Sequence, residues 1–160
     1  MEMTEASHAA KAAAAAKAGK YLTFGLGKEV YGLEILKVQE IIGMIGTTRV
    51  PGSPSHIRGV INLRGKVIPV ANLRAKFRLD SVEDTQKTCI IVVQIRMRGQ
   101  QVTMGIIVDE VNEVLKIAEN QIEPPPSFGT EVNTDFILGI GKIGEKVVLL
   151  LDVDRVLVDG

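Results

Sequence analysis

The chain has 160 residues and a mass of 17.3 kDa, the length of one domain or of two small ones sharing a core. Lysine plus arginine and aspartate plus glutamate each number 19, aromatics make up 4% and tryptophan is absent, a composition that argues against a protein built to grip nucleic acid. No apolar stretch approaches the roughly 18 residues of a membrane span, and a single cysteine excludes an internal disulfide and fits a reducing compartment.

Residues 1–19 (MEMTEASHAAKAAAAAKAG) carry alanine and scattered charge without an apolar face. Alanine favours helix, but a short segment with nothing to pack against is marginal in water, so this stretch is expected to be a disordered tail. Glu2 and Glu5 stand where a secretory signal would be basic. From Lys20 the texture becomes β-rich: Leu22, Phe24 and Leu26 alternate with Thr23 and Gly25, the period of a half-buried strand. Hairpin turns are predicted at Gly27-Lys28, Gly65-Lys66, Gly99-Gln100 and Gly144-Glu145, where glycine supplies positive φ. The runs CIIVV (89–93), GIIV (105–108) and VVLLL (147–151) are too short and too β-branched for helices and are predicted core strands. Short helices are expected near Pro54–Arg58, after Pro69 and at Asp152–Leu157.

The chain repeats itself. YGLEILKVQEII (31–42) lies over MGIIVDEVNEVL (104–115), matching Gly32 with Gly105 and Glu40 with Glu113. IRGVINLRGKVIPVANL (57–73) lies over ILGIGKIGEKVVLLLDV (137–153), matching Gly59 with Gly139, Asn72 with Asp152 and Arg64 with Gly144. Units of this size are only marginally stable alone. The expected architecture is therefore mainly β: two small β-barrels from an internal duplication, spanning about 20–80 and 88–158. The polar run 80–87 would be their junction.

Catalytic signals are weak. GIGKIG (139–144) matches the dinucleotide fingerprint, but that fingerprint needs a following helix, and an apolar strand follows here. His8 is in the tail, His56 in a loop, and Cys89 opens an apolar strand with only Lys87 nearby to lower its pKa. No cysteine–histidine spacing suits zinc. Among Asp109, Glu110, Glu113, Asp152 and Asp154, only Glu113 keeps an acid in the other repeat, which favours solvated or capping charges. Two alternatives remain in view: an enzyme using Gly139–Gly144, and a nucleic-acid-binding barrel built on the basic stretch 49–78. Charge is unevenly spread, with seven bases and no acid over 41–79 and eleven acids against four bases over 109–160. Two barrels of opposite charge with different binding faces are predicted. Arg64 stands out: a turn-held guanidinium can offer its fork to a carboxylate with little loss of entropy.

Together YLTFGLGKEVYGLEILKVQEII, VPGSPSHIRGVINLRGKVIPVANLRAKF, GIIVDEVNEVL, QIEPPP and LLLDVDRVL, in order from Tyr21 to about Val158, resemble the CheW family of chemotaxis coupling proteins. The resemblance implies two five-stranded SH3-like β-barrels around a shared core, and a cytoplasmic adaptor with no catalytic activity and no cofactor or metal. It implies two partners, the tips of chemoreceptors and the regulatory domain of the histidine kinase CheA, in arrays beneath the membrane without insertion into it. By motif, Val38, Glu40 and Arg64 are the expected receptor-facing residues, and Ile122 and Phe128 the kinase-facing ones. The family's commoner PVIDLR reads PVANLR here, so Asn72 replaces an acid and any charge role there is in doubt. A sister arrangement adds a phosphorylatable receiver domain after this fold; with the sequence ending at Gly160, that form of regulation is not expected.

Overall fold

The structure is a computed structural model that describes residues 18–125 and 135–158; nearly all of the alanine-rich tail lies outside the described residues. The elements in order are β1 (Gly19–Leu26), β2 (Glu29–Glu34), a 3₁₀ turn (Ile35–Lys37), β3 (Val38–Gly43), β4 (Ile57–Leu63), β5 (Lys66–Asn72), α1 (Leu73–Lys76), β6 (Cys89–Met97) and β7 (Gln100–Val108). Then come β8 (Glu110–Ile117), a 3₁₀ turn (Glu119–Gln121), β9 (Ile122–Glu123), β10 (Ile137–Ile143), β11 (Lys146–Leu151) and α2 (Val153–Val158). No helix among the described residues is long and apolar enough to cross a membrane. No helix forms near Pro54–Arg58: the Pro54 carbonyl accepts the Ile57 amide in a turn, and β4 starts at once. Pro69 sits inside β5, where the ladder to β7 begins only at Val70, so its missing N–H costs no bond on that side.

The two sheets are ordered β8-β1-β2-β11-β10-β9 and β3-β6-β7-β5-β4. They do not follow the expected division into 20–80 and 88–158. The second sheet is contiguous, spanning residues 38–108, while the first is assembled from both ends of the described chain. In repeat terms each unit donates its leading hairpin, β1–β2 or β6–β7, to the sheet of the other unit. Parallel pairing of β2 with β11 and of β7 with β5 seals the exchange. The reason lies in the apolar pattern. Phe24 and Leu26 of β1, and Ile91, Val93 and Ile95 of β6, fill a core shared between the sheets. Their neighbours point the other way: Tyr21 joins Val148 and Leu150 inside one barrel, and Ile90 and Val92 join Ile61 and Ile68 inside the other. A strand apolar on both faces must be covered on both faces, and only the position between two sheets does that. The run 80–87 links the two repeat units within the span of the contiguous sheet; Arg58 holds Asp84 at 2.6 Å and lays the segment against that barrel.

With these limits the charge polarity keeps its size, a surplus of seven on each side. Residues 35–108 carry eleven bases and four acids, leaving eight bases and fifteen acids elsewhere in the chain. The contiguous barrel is basic and its companion acidic.

Two of the hairpin turns lie one residue earlier than predicted. Leu63 pairs with Lys66 and Met97 with Gln100, so the turns are Arg64-Gly65 and Arg98-Gly99. A type I′ turn needs positive φ at both positions; glycine takes the second, and arginine takes the first at φ 50° and 53°.

Gly59 marks a bulge where β4 shifts register against β5. A Cβ there would stand 2.4 Å from the Thr48 carbonyl oxygen, which accepts the Val60 amide. Gly59→Ala is expected to cost about 2–4 kcal/mol by forcing backbone apart, read as a lower urea midpoint at unchanged slope.

Candidate functional site: the Glu40–Arg64 pair on the basic barrel

β3 and β4 lie at opposite ends of their sheet's strand order, yet Glu40 of β3 and Arg64 of the β4–β5 turn meet. The guanidinium donates through Nη1 to Glu40 Oε1 at 3.1 Å and through Nη2 to Oε2. Below them Ile42 and Met44 share an apolar cluster with Ile61 and Leu63. The sheet has therefore curled into a barrel, and the ion pair sits across its seam.

A bulge at Gln39 determines which side chains meet there. Val38 pairs with Val93, but Glu40 pairs with Val92. Strand periodicity alone would put Val38 and Glu40 on one face; the inserted residue sends them to opposite faces. Val38 packs against the shared core between the sheets, while Glu40 turns to the barrel seam and Arg64. Two of the three predicted receptor-facing residues are thus brought together, and Val38 stands on the other side of β3.

The Arg64 fork is already occupied within the chain. Its side chain remains 67% exposed and that of Glu40 25%, so the pair is offered to solvent as a unit. The Glu40 carboxyl is held below its usual range, first by the hydrogen bond from Arg64 and further by Gln39; Arg64 is correspondingly raised by Glu40. Arginine at φ 50° is a strained choice. At the matching turn of the other barrel Gly144 takes φ 63° without strain. There the repeat partner of Glu40 is Glu113, whose backbone N–H and carbonyl are both bonded to the Thr23 hydroxyl. The acidic barrel keeps the carboxylate and lacks the arginine, so the site is one-sided.

The remaining candidates have structural occupations. Asp109 accepts from Arg74 Nε at 2.8 Å and Nη2 at 2.7 Å, and from the Gly27 amide at 2.8 Å. This fastens α1 to the start of β8 and to the β1–β2 turn. At the symmetric place Asp154 of α2 accepts from Lys37 and from the Arg96 amide, the same clasp with its charges reversed. Asn72 caps α1 by accepting from the Arg74 and Ala75 amides, and Asp152 accepts the Arg155 amide at the start of α2. Asparagine caps as well as aspartate, so the departure at Asn72 leaves the position's role intact. The Cys89 thiol is pushed up by burial, the reverse of an activated nucleophile. Gly139, Gly141 and Ile143 lie in β10 and a hairpin strand follows them, not a helix. Arg58, Arg64 and Arg74 of the basic stretch are each paired with an acid, which removes much of a nucleic-acid track. Ile122 is half-buried in β9 against the acidic barrel's interior; Phe128 lies outside the described residues.

The sequence carries no sign of the Arg74–Asp109 clasp, whose side chains are 15% and 28% exposed. Arg74 holds the Asp109 carboxyl below the usual carboxylate range, with the Gly27 N–H adding to it. A lowered folded pKa gives stability that is present above about pH 4 and lost as pH falls through the folded value. Asp109→Asn should cost about 1–2 kcal/mol at pH 7. The difference from the parent should narrow progressively as pH falls below about 4, as followed by urea melts across pH. A gap that does not narrow on acidification would contradict this.

A CheW-like domain profile matches residues 20–160. The chain is 41% identical over 138 residues to the chemotaxis protein CheW of Klebsiella aerogenes, covering 86% of this chain and 81% of that protein. It is 36% identical over 139 residues to the chemotaxis protein CheW of Bacillus subtilis, covering 86% of each. Among solved structures it superposes on the scaffolding protein TtCheW of Thermoanaerobacter tengcongensis with a TM-score of 0.77 at 39% identity, covering 87% of this chain and 92% of that one. The duplicated pair of SH3-like barrels and the matched sequence agree from β1 to α2: the chain belongs to the CheW family.

Proposed function

We propose that this protein is a non-catalytic adaptor of chemotaxis signal transduction, holding chemoreceptor tips and the histidine kinase CheA in one assembly. The observation that carries the reading is the Arg64 turn: an exposed arginine kept at positive φ where the other barrel uses glycine. Strained backbone at an exposed side chain points to a contact that the side chain makes. Receptor tips engage the seam where Arg64 and Glu40 sit, with a receptor carboxylate exchanging into the guanidinium fork. An exposed ion pair is worth little in water, so the exchange is easy. Val38, behind β3, supports that strand against the shared core. The kinase regulatory domain binds on the acidic barrel near Ile122, and Phe128, expected from the resemblance as a second contact, is outside the described residues. Each contact is of micromolar strength, about −8 kcal/mol, and multivalency in an array strengthens the whole. Localisation follows from the partners: the chain is cytoplasmic and peripheral to membrane-bound receptors.

Direct binding is the test. An immobilised receptor signalling fragment should capture this chain with micromolar affinity that weakens as salt rises. No capture at any salt concentration would refute the receptor half of the reading.

A further inference from the structure

Three residues other than glycine have positive φ among the described residues, and all three are arginines: Arg64, Arg78 and Arg98. Arg78 follows α1, where its amide meets the Ala75 carbonyl and Leu79 closes back to Arg74; a left-handed residue after a helix is ordinary termination. Arg64 has Glu40. Arg98 takes its positive φ as the first residue of a tight turn, as Arg64 does, but has no carboxylate to close on among the described residues. Its guanidinium has no ion-pair or hydrogen-bond partner among the described residues, and its neighbour Arg96 spends a guanidinium nitrogen on the Gly99 carbonyl of the same tip.

The hairpin that carries it is enlarged. The β1–β2 ladder ends at Leu26 with Glu29, leaving a two-residue turn. The corresponding rung of β6–β7 is Ile95 with Val102, and two further rungs follow, Arg96 with Gln101 and Met97 with Gln100. Six residues, Arg96 to Gln101, thus replace Gly27-Lys28. The tip reaches about 7 Å further. Its base is fixed: Asp154 accepts the Arg96 amide at 3.1 Å and the Lys37 ammonium at 3.0 Å, tying the hairpin to the Ile35–Lys37 turn. From that turn projects Leu36, 94% exposed and the barest large apolar side chain among the described residues. The repeat partner of Leu36 is Asp109, which is fully engaged in its clasp.

We propose that the β6–β7 tip is a docking site for an acidic segment of a partner protein. Arg98 takes a carboxylate in its fork, and Leu36 takes an apolar residue of the same segment. Arg64 is the internal precedent, an arginine at the same place in an Arg-Gly turn whose fork closes on a carboxylate. The basic barrel, with eleven bases to four acids over 35–108, adds the long-range attraction. This site goes beyond the receptor and kinase contacts and stands without them.

The experiment is a titration of the isotope-labelled full chain, followed by amide NMR. The probe is a short synthetic peptide with glutamate and leucine at helical spacing, and the control has glutamine in place of glutamate. Saturable shifts are expected at Leu36, Arg98 and Gly99 with the acidic peptide only. Arg98→Gly relaxes the turn and keeps the fold, so a loss of about ten-fold in affinity with other amides unmoved supports the fork. Unchanged affinity in Arg98→Gly, or equal shifts at Arg49 and Lys66, overturns the proposal as unspecific charge attraction. Arg98-dependent binding to phosphatidylserine vesicles without a response to the peptide overturns it in favour of a lipid surface.

Discussion

Arg64→Glu should abolish capture by a receptor signalling fragment while leaving the thermal midpoint within a few degrees of the parent. A hot-spot arginine typically carries enough of an interface that its loss weakens binding roughly thirty-fold, which removes a micromolar contact in practice. Reversal adds a penalty, because the new carboxylate would face Glu40 across the barrel seam and repel any partner carboxylate. Folding is spared because the side chain is exposed and its ion pair lies in solvent. Arg64→Gly separates the two roles: glycine takes φ 50° without strain, so this variant should melt no lower than the parent and still fail to bind. Normal binding by either variant would show that Arg64 is not at the receptor contact.

Phe24→Ala should have the largest effect on stability. Phe24 is fully buried in the core between the sheets and starts a line of rings: Phe24 to Tyr31 at 5.8 Å, Tyr31 to Phe77 at 5.6 Å, Phe77 to Phe136 at 5.5 Å. That line joins a hairpin, the end of α1 and the approach to β10, so it draws on both repeat units. Truncation costs about 3–5 kcal/mol, or roughly 6–20 °C in a chain of this size. Because each barrel borrows a hairpin from the other unit, both should melt together in one calorimetric transition. Two separated transitions, only one of them shifted, would contradict a shared core.

The duplication was legible because it rests on short matched motifs, and the strands because Leu22, Phe24 and Leu26 alternate. What the repeat did not reveal was which unit's hairpin enters which sheet. Leu22 pairs with Leu33 on one side and with Val114 on the other, and a pairing so far along the chain leaves no local signature. A hint was present: CIIVV is apolar at every position, which a half-buried barrel strand would not be. Glu40 and Arg64 were both singled out, yet their union was not, since it depends on the bulge at Gln39 and on closure of the sheet. Asn72 looks like a missing charge in the sequence, although asparagine directly before a short helix is a capping signal. Sequence alone puts the turn at Gly99-Gln100 and so hides Arg98, which only the ladder's register places at positive φ.

As the proposed adaptor between two proteins, this chain should retain the kinase on receptor beads. Receptor signalling fragments are immobilised, the histidine kinase CheA is added, and bound kinase is measured with and without this chain. Kinase retention should rise with added chain and fall to the background level with Arg64→Glu. Equal retention in the presence and absence of the chain would contradict the adaptor role.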